Sequence, residues 1–148
     1  VSIDPYRIIV SGRIKHFTSA FGEHVIAEEV ERSLKKAVEK IPAQINEFHV
    51  APQVNPKSGL PFHEWLIEFE KKPENISILQ KKIDEALQKQ NSYYKDLICG
   101  NVLSPLKITT IKKGGFRKYM HSIGKLGGQN KVPRLANDRK IANQLKEI

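Results

Sequence analysis

Ile26, Val30, Leu34, Val38 and Ile41 recur three or four residues apart and stop at Pro42. That spacing puts all five on one face of a helix. The proline ends it because it has no N–H to donate and its ring obstructs the preceding turn. Glu28, Glu29 and Glu31 open the segment, and Lys35, Lys36 and Lys40 lie towards its end, the polarity a helix dipole favours. An amphipathic helix of this length has to bury its stripe, so the rest of the chain must supply a partner layer.

That layer reads as strands and further helices. Residues 6–14, YRIIVSGRI, have strand composition, with Ser11-Gly12 marking a bulge or bend. Residues 44–50 form a second strand, and the turn-rich stretch 52–61, with Asn55-Pro56 and Ser58-Gly59, leads into a hairpin partner at 63–70. There Trp65, Ile67 and Phe69 alternate with Glu64, Leu66, Glu68 and Glu70, which predicts one buried face and places the three glutamates on a solvated one. Residues 73–90 carry Ile76, Leu79, Ile83 and Leu87 on one side of a second helix. Residues 91–98 either extend it or start a short separate one. Tyr93 and Tyr94 are packing residues or stacking platforms, but being adjacent they cannot share a helical face. Residues 105–112 return to strand composition and Gly114-Gly115 break it. Phe116, Tyr119, Met120 and Ile123 then fall at helical spacing as core, and Asn137 or Asp138 caps a final helix carrying Ile141, Leu145 and Ile148. The expected fold is α+β, a small mixed sheet flanked by helices, in one domain spanning residues 1–148.

Charge divides the chain. Residues 1–103 hold 14 Lys/Arg against 14 Asp/Glu, whereas residues 104–148 hold 11 against 2, so the whole net charge of +9 lies in the last third. A local cationic field suits a phosphate-bearing partner, either a nucleotide or a nucleic acid, or an acidic surface on a neighbouring domain. No apolar run is long enough to span a membrane, and the N-terminus lacks the layout of a signal peptide, which points to the cytoplasm. The start at a valine, running straight into strand-like sequence, reads as a cut. Cys99 follows Leu97 and Ile98 and is expected to be a buried small hydrophobe rather than a nucleophile.

Within the basic third lies KLGGQNKVPRL, residues 125–135. Gly124, Gly127 and Gly128 free the backbone, Pro133 stiffens the exit, and Lys131 is presented between them. An ammonium so held neutralises a phosphate or a developing oxyanion, or is simply solvated.

Two stretches carry a family resemblance. Residues 12–31, GRIKHFTSAFGEHVIAEEVE, resemble the GRxDxxxKxxGxxIxxxEIE pattern of adenylate-forming enzymes at Gly12, Arg13, Gly22, Glu29 and Glu31, with Val25 and Val30 in place of isoleucines. QNKVPR resembles that superfamily's C-terminal GKIxR loop, with Lys131 and Arg134 in the lysine and arginine positions. With the intervening EFHVAP, HEWLIEFE and NSYYKDL, the whole chain is similar to the C-terminal domain of the Gretchen Hagen acyl-acid amido synthetases, in their bacterial branch.

The resemblance implies an ATP-dependent ligase that joins a carboxylic acid to AMP and then passes the acyl group to an amine, usually an amino acid. This chain would be its mobile lid, preceded by a large N-terminal domain holding the acyl pocket, most contacts to ATP and the Mg2+. It would end at the family's own C-terminus and be inactive alone. By position, Lys131 would be catalytic and nucleotide-binding, Arg13 nucleotide-binding and Lys15 the hinge, while Phe21, Gly22 and Glu23 would line the amine channel. Two departures stand out: Lys15 replaces the usual hinge aspartate, and Asn130 replaces the glycine before the catalytic lysine. His16 is either a base for the amine or a hydrogen-bonded surface residue, and Arg134 a support for Lys131 or a carboxylate's partner.

Two other classes remain. A nucleic-acid-binding α+β module would use the basic third on phosphates and Tyr93, Tyr94 or Phe116 for stacking. It accounts for the charge but not for the spacing of the two matching stretches. A plain protein-interaction domain would leave the lysines solvated.

Overall fold

The computed structural model describes residues 17–125 and 131–148. In chain order they form β1 (Phe17–Thr18), β2 (Val25–Ile26), α1 (Ala27–Lys40), β3 (Gln44–Gln53), β4 (Phe62–Lys71), α2 (Ile76–Gln90), α3 (Ser92–Cys99), β5 (Lys107–Ile111), α4 (Gly115–Ser122) and α5 (Lys140–Glu147). The predicted strand at 6–14, its Ser11-Gly12 bulge, and Arg13, Lys15 and His16 lie outside the described residues.

The predicted hairpin is the centre of the molecule. β3 and β4 pair antiparallel from Gln44↔Lys71 to Gln53↔Phe62, and β5 joins the far side of β4 in parallel, so β4 is the middle strand of a mixed sheet. β1 and β2 make a separate two-residue ladder that leads into α1. The fold is the α+β arrangement expected, and residues 91–98 resolve to a separate helix.

One face of the sheet is packed as the apolar periodicities predict. Val30 and Leu34 of α1 and Leu79, Ile83 and Leu87 of α2 close over Phe48, Val50, Trp65, Ile67 and Phe69. α1 begins where Glu29 accepts the Ile26 N–H (3.0 Å), and α2 where the Asn75 side chain accepts the Ile78 N–H (3.2 Å). Tyr94 of α3 is fully buried here and Tyr93 is 66% exposed, as their adjacency demands. Cys99, expected inside, is exposed. Residues 94, 97 and 98 use up the inward face of this short helix, and position 99 lies five residues on from Tyr94, round the other side.

The other face overturns an expectation. Glu64 and Glu68 are not solvated: they are 4% and 7% exposed, beneath α4 and α5. Only Glu70, near the end of β4, is exposed, beside Asn46 and Lys113. The alternation in HEWLIEFE was therefore that of a strand covered on both sides, with carboxylates where a second apolar set would ordinarily sit. Each has a structural partner. Glu64 binds Arg139 (2.7 Å), Lys146 (3.2 Å) and the Thr109 hydroxyl (2.5 Å), which fastens α5 and the residue before it to the sheet. Burial would raise the Glu64 carboxyl, but these three donors outweigh it and hold it below the usual carboxylate range. Glu68 accepts the Phe116 N–H (3.2 Å) in the first turn of α4 and the Asn46 amide (3.1 Å), so a strand residue caps a helix that has no side-chain cap of its own. The turn into α4 requires its glycines: Gly114 has φ +82°, and a Cβ on Gly115 would meet Ile111 at 2.4 Å.

Phe116, Tyr119 and Met120 join the core on this face with Ala51, Leu66 and Val132, as their spacing predicts. Ile123, just past the helix end, is 41% exposed instead. At the start of α5 the cap position is Arg139, not Asn137 or Asp138 as expected, although the Asp138 side chain accepts the Lys140 N–H (3.0 Å) from one residue further out. No helix among the described residues is long and apolar enough to cross a membrane.

Candidate functional site

Lys131 is exposed, and the chain after it is not left loose. Val132 is buried among Phe116, Tyr119 and Met120. The Pro133 carbonyl faces His49 Nδ1 (2.6 Å), the Arg134 carbonyl accepts the Val50 N–H (2.8 Å), and the Ala136 N–H donates to the Val50 carbonyl (3.0 Å). Leu135 thus bridges Val50 in parallel, and residues 132–136 run along the open edge of β3. The lysine therefore stands at the head of a strip nailed to the sheet.

Arg134 is part of the nailing. Its guanidinium lies over the Phe48 ring (4.4 Å to the centroid), binds Glu47 (2.6 Å) and approaches Glu31 (3.9 Å). Of the two roles open to it in the sequence, pairing with carboxylates is the one found. Beside it an open groove of about 400 Å³, floored by Leu34, Val38, Ile45 and Phe48, separates α1 from the β3 edge.

The described parts of the two stretches that resemble the family pattern meet here, at Glu31 and Arg134, 103 positions apart in the chain. The Thr18 hydroxyl donates to the Ala136 carbonyl (2.9 Å), the Ser19 N–H donates to the Asn137 side chain (2.8 Å), and Glu31 faces Arg134. Glu29 is structural, accepting from both Ile26 and the Asn91 amide (3.2 Å). The loop between β1 and β2 thus flanks the strip that follows Lys131.

In that loop, Gly22 is exposed with φ +90° and Phe21 is half-buried. The Glu23 side chain turns inward and is fully buried. It accepts from His63 Nε2 (2.9 Å) and from the Phe21 N–H (2.9 Å), while its backbone carbonyl accepts from Asn91 (3.0 Å). Burial pushes its pKa up, but the hydrogen bond and charge of His63 and the Phe21 N–H prevail, so it lies below the usual range. His63 stacks obliquely on Tyr94 (5.3 Å), whose hydroxyl donates to Asp84. Asp84 also accepts the Leu106 N–H (3.1 Å) and the Gln88 amide (2.6 Å). Glu23 is the outer end of a buried polar chain that fixes the loop from below.

Sequence reasoning singled out Lys131, Phe21, Gly22 and Glu23 but missed Glu47, His49 and His63 among the groups around them, and read Asn137 as a helix cap where its side chain accepts the Ser19 N–H. A lone histidine in a strand carries no local signal of its partner 84 residues away. The stacking platforms of a nucleic-acid reading are mostly lost, since Tyr94 and Phe116 are buried. Part of the basic surplus is spent internally, with Arg134, Arg139 and Lys146 all in ion pairs. Among the described residues, no three His, Cys, Asp or Glu side chains gather to hold a metal ion.

Comparison with known proteins bears on this arrangement. The family model for the GH3 family C-terminal domain matches residues 28–140. A solved structure titled GH3.15 acyl acid amido synthetase superposes with a TM-score of 0.71 at 19% identity, over 92% of this chain and 26% of that one. A second, AtGH3.15 acyl acid amido synthetase in complex with 2,4-DB, superposes with a TM-score of 0.69 at 17% identity and the same coverage. At these identities the likeness is one of fold, and this chain spans about a quarter of the length of those proteins. No curated protein sequence matches it.

Proposed function

This chain belongs to the GH3 family, as its C-terminal domain, and we propose that it is the lid of a cytoplasmic, ATP-dependent acyl-acid amido synthetase whose N-terminal domain precedes residue 1. The observation that supports this reading is the approach of the two matching stretches at Glu31 and Arg134 (3.9 Å), close behind Lys131, an exposed ammonium heading a strip fixed to the β3 edge.

In the first half-reaction a carboxylate oxygen attacks the α-phosphorus of ATP, and the bond to pyrophosphate breaks. Lys131 enters the cleft of the N-terminal domain and offsets the negative charge that gathers on the phosphoryl and carboxylate oxygens. The strip that follows it is fixed to the β3 edge from the Pro133 carbonyl onward, which limits the reorganisation needed as charge develops. Arg13 contacts the nucleotide, and the domain then turns about Lys15. In the second half-reaction the amine nitrogen attacks the acyl carbon, loses a proton, and AMP leaves. The loop holding Phe21 and Gly22 borders the amine's path, and Glu23 serves it from below, because its carboxylate is occupied by His63 and the Phe21 N–H. Mg2+ bound with ATP would neutralise phosphate charge, held by groups of the N-terminal domain. On this reading the acid pocket and most contacts to ATP belong to the N-terminal domain, so this chain alone is inactive.

The test is pyrophosphate release by the full-length protein with ATP and a panel of aromatic and aliphatic carboxylic acids, 2,4-DB among them. Acid-dependent release that falls by about a hundred- to a thousandfold in Lys131→Ala, with an unchanged melting temperature, is the expected result. Release with no acid in the panel would overturn the ligase reading. Full activity in Lys131→Ala would remove the lysine from it.

A further inference from the structure

The catalytic reading leaves one buried histidine without a task. His49, in the middle of β3, is fully buried, with Nδ1 2.6 Å from the Pro133 carbonyl. A carbonyl only accepts, so Nδ1 carries the proton and Nε2 a lone pair. Among the described residues that Nε2 has no hydrogen-bond partner. Burial pushes the His49 pKa down, against the Pro133 carbonyl, which keeps the ring in this neutral form. A leucine at this position would leave no buried nitrogen unpaired. What the imidazole adds over a leucine is its donor to Pro133.

That donor matters because of where it falls. The backbone ladder between β3 and the strip reaches back only to the Arg134 carbonyl. Pro133 has no N–H, so its carbonyl is its one backbone handle. The His49 side chain takes it, carrying the attachment one residue further towards Lys131. Among the described residues, Pro133 O is the first backbone group after the lysine that is bonded to the sheet.

We infer that His49 is a positioning residue for Lys131, which clamps the Pro133 carbonyl and so sets the direction in which the lysine leaves the sheet. It touches neither nucleotide nor acid. The inference rests on the reading of Lys131 as the adenylation lysine, and it assigns His49 to the first half-reaction alone. A misplacement of about 1 Å at a reacting group costs about a hundredfold in rate, which sets the scale of the effect.

Three variants of the full-length protein decide it. His49→Asn keeps a donor close to the Nδ1 position. His49→Gln moves its amide out to the Nε2 position, away from Pro133, and His49→Leu has no donor. The first readout needs no substrate: amide hydrogen exchange of the peptide covering residues 131–137 should quicken in the Leu and Gln variants but not in Asn, while residues 62–71 stay as protected as before. The second is pyrophosphate release with the most active acid of the panel. Its kcat should fall by about ten- to a hundredfold in Leu and Gln, with KM for ATP changed by less than about twofold, and recover in Asn. Amide formation from a presynthesised acyl adenylate should be unaffected in all three, and His49→Leu should cost nothing further in a Lys131→Ala background.

Unchanged exchange across 131–137, an Asn variant as slow as Gln, or equal losses in both half-reactions would each overturn the inference. If Lys131→Ala proves fully active, the reading of the lysine fails, and the exchange data still decide whether His49 clamps the strip. Should the Leu variant fail to fold, the contrast between Asn and Gln carries the test.

Discussion

The two faces of the sheet are held by different physics. Towards α1 and α2 the contact is a broad apolar one, in which Trp65, Ile67 and Phe69 meet Leu79, Ile83 and Leu87. Towards α4 and α5 the apolar cluster is smaller, and the helices are fastened at named polar points, with Glu64 on Arg139 and Lys146, and Glu68 on the first turn of α4. Apolar burial is non-directional and tolerates sliding, whereas a carboxylate facing two cations or an N–H fixes a helix in one place. Of the strip that follows Lys131, Val132 and the Pro133 carbonyl held by His49 lie on the polar-fastened side, while Leu135 and Arg134 pack towards α1. On the proposed reading of Lys131, fixed points serve its placement better than area alone.

The contrast breaks first on the apolar face. Leu79→Ala, at a fully buried position, should cost about 3 kcal/mol through lost burial and the cavity left behind. Urea unfolding of the chain should show a lower midpoint with an unchanged slope, since this face underlies the whole domain. A slope that splits into two transitions would mean that the faces unfold separately. On the other face, Glu64→Leu should cost about 2 kcal/mol, below the usual figure for breaking a buried pair because Lys146 and, less so, Arg139 reach water. Its signature is local: amide exchange should rise across residues 140–147 before it rises in α2. Glu68→Ala should cost about 1 kcal/mol, the loss of a helix cap, with faster exchange at the first turn of α4. If both glutamate variants loosen α2 as much as α4 and α5, the distinction between the faces is wrong.

The same contrast explains what was legible in the sequence. The apolar face is written in periodicities, and α1, the β3–β4 hairpin and α2 follow from stripes that a reader can count. The polar face is written in pairs. Glu64 finds Lys146 across 82 residues and Glu68 finds Phe116 across 48, and no local pattern announces either. Read alone, the alternating glutamates meant solvent. They meant a covered face only once α4 and α5 had been placed over it. Lys131 stood out as a candidate because its glycine-rich setting and its resemblance to the family loop are local, but His49 and Glu47, which fix the strip behind it, did not. Arg134 lay between these cases, since the motif marks it while its partners Glu31, Glu47 and Phe48 come only from the fold.

The smallest expected effect, the response to acid, sharpens the comparison because the titrating groups are divided between the faces. His49, on the α4/α5 side, has a folded pKa lowered by burial, against the Pro133 carbonyl and with the charge of Arg139 reinforcing the shift. Below about pH 6.5 the unfolded chain protonates this histidine while the folded one does not, so stability is full above that pH and falls as pH drops towards the folded value. Glu64, on the same side, and Glu23, at the polar end of the α1/α2 side, are lowered despite burial, by Arg139, Lys146 and Thr109 in one case and by His63 in the other. Their contribution is full above about pH 4.3 and is lost as pH falls through their folded values. All three carry the same sign, so the stability of the chain should decline in two steps, a shallow one beginning near pH 6.5 and a steeper one below about pH 4.3. His49→Asn should flatten the first step and leave the second. Glu64→Gln should flatten the second and leave α2 protected, whereas Glu23→Gln should flatten it while raising exchange at the β1–β2 loop and at the start of α3, where Asn91 holds the Glu23 carbonyl. A curve of melting temperature against pH for the four proteins settles the assignment. An upper step that survives His49→Asn would mean that another histidine carries it and that His49 is not held neutral by the fold.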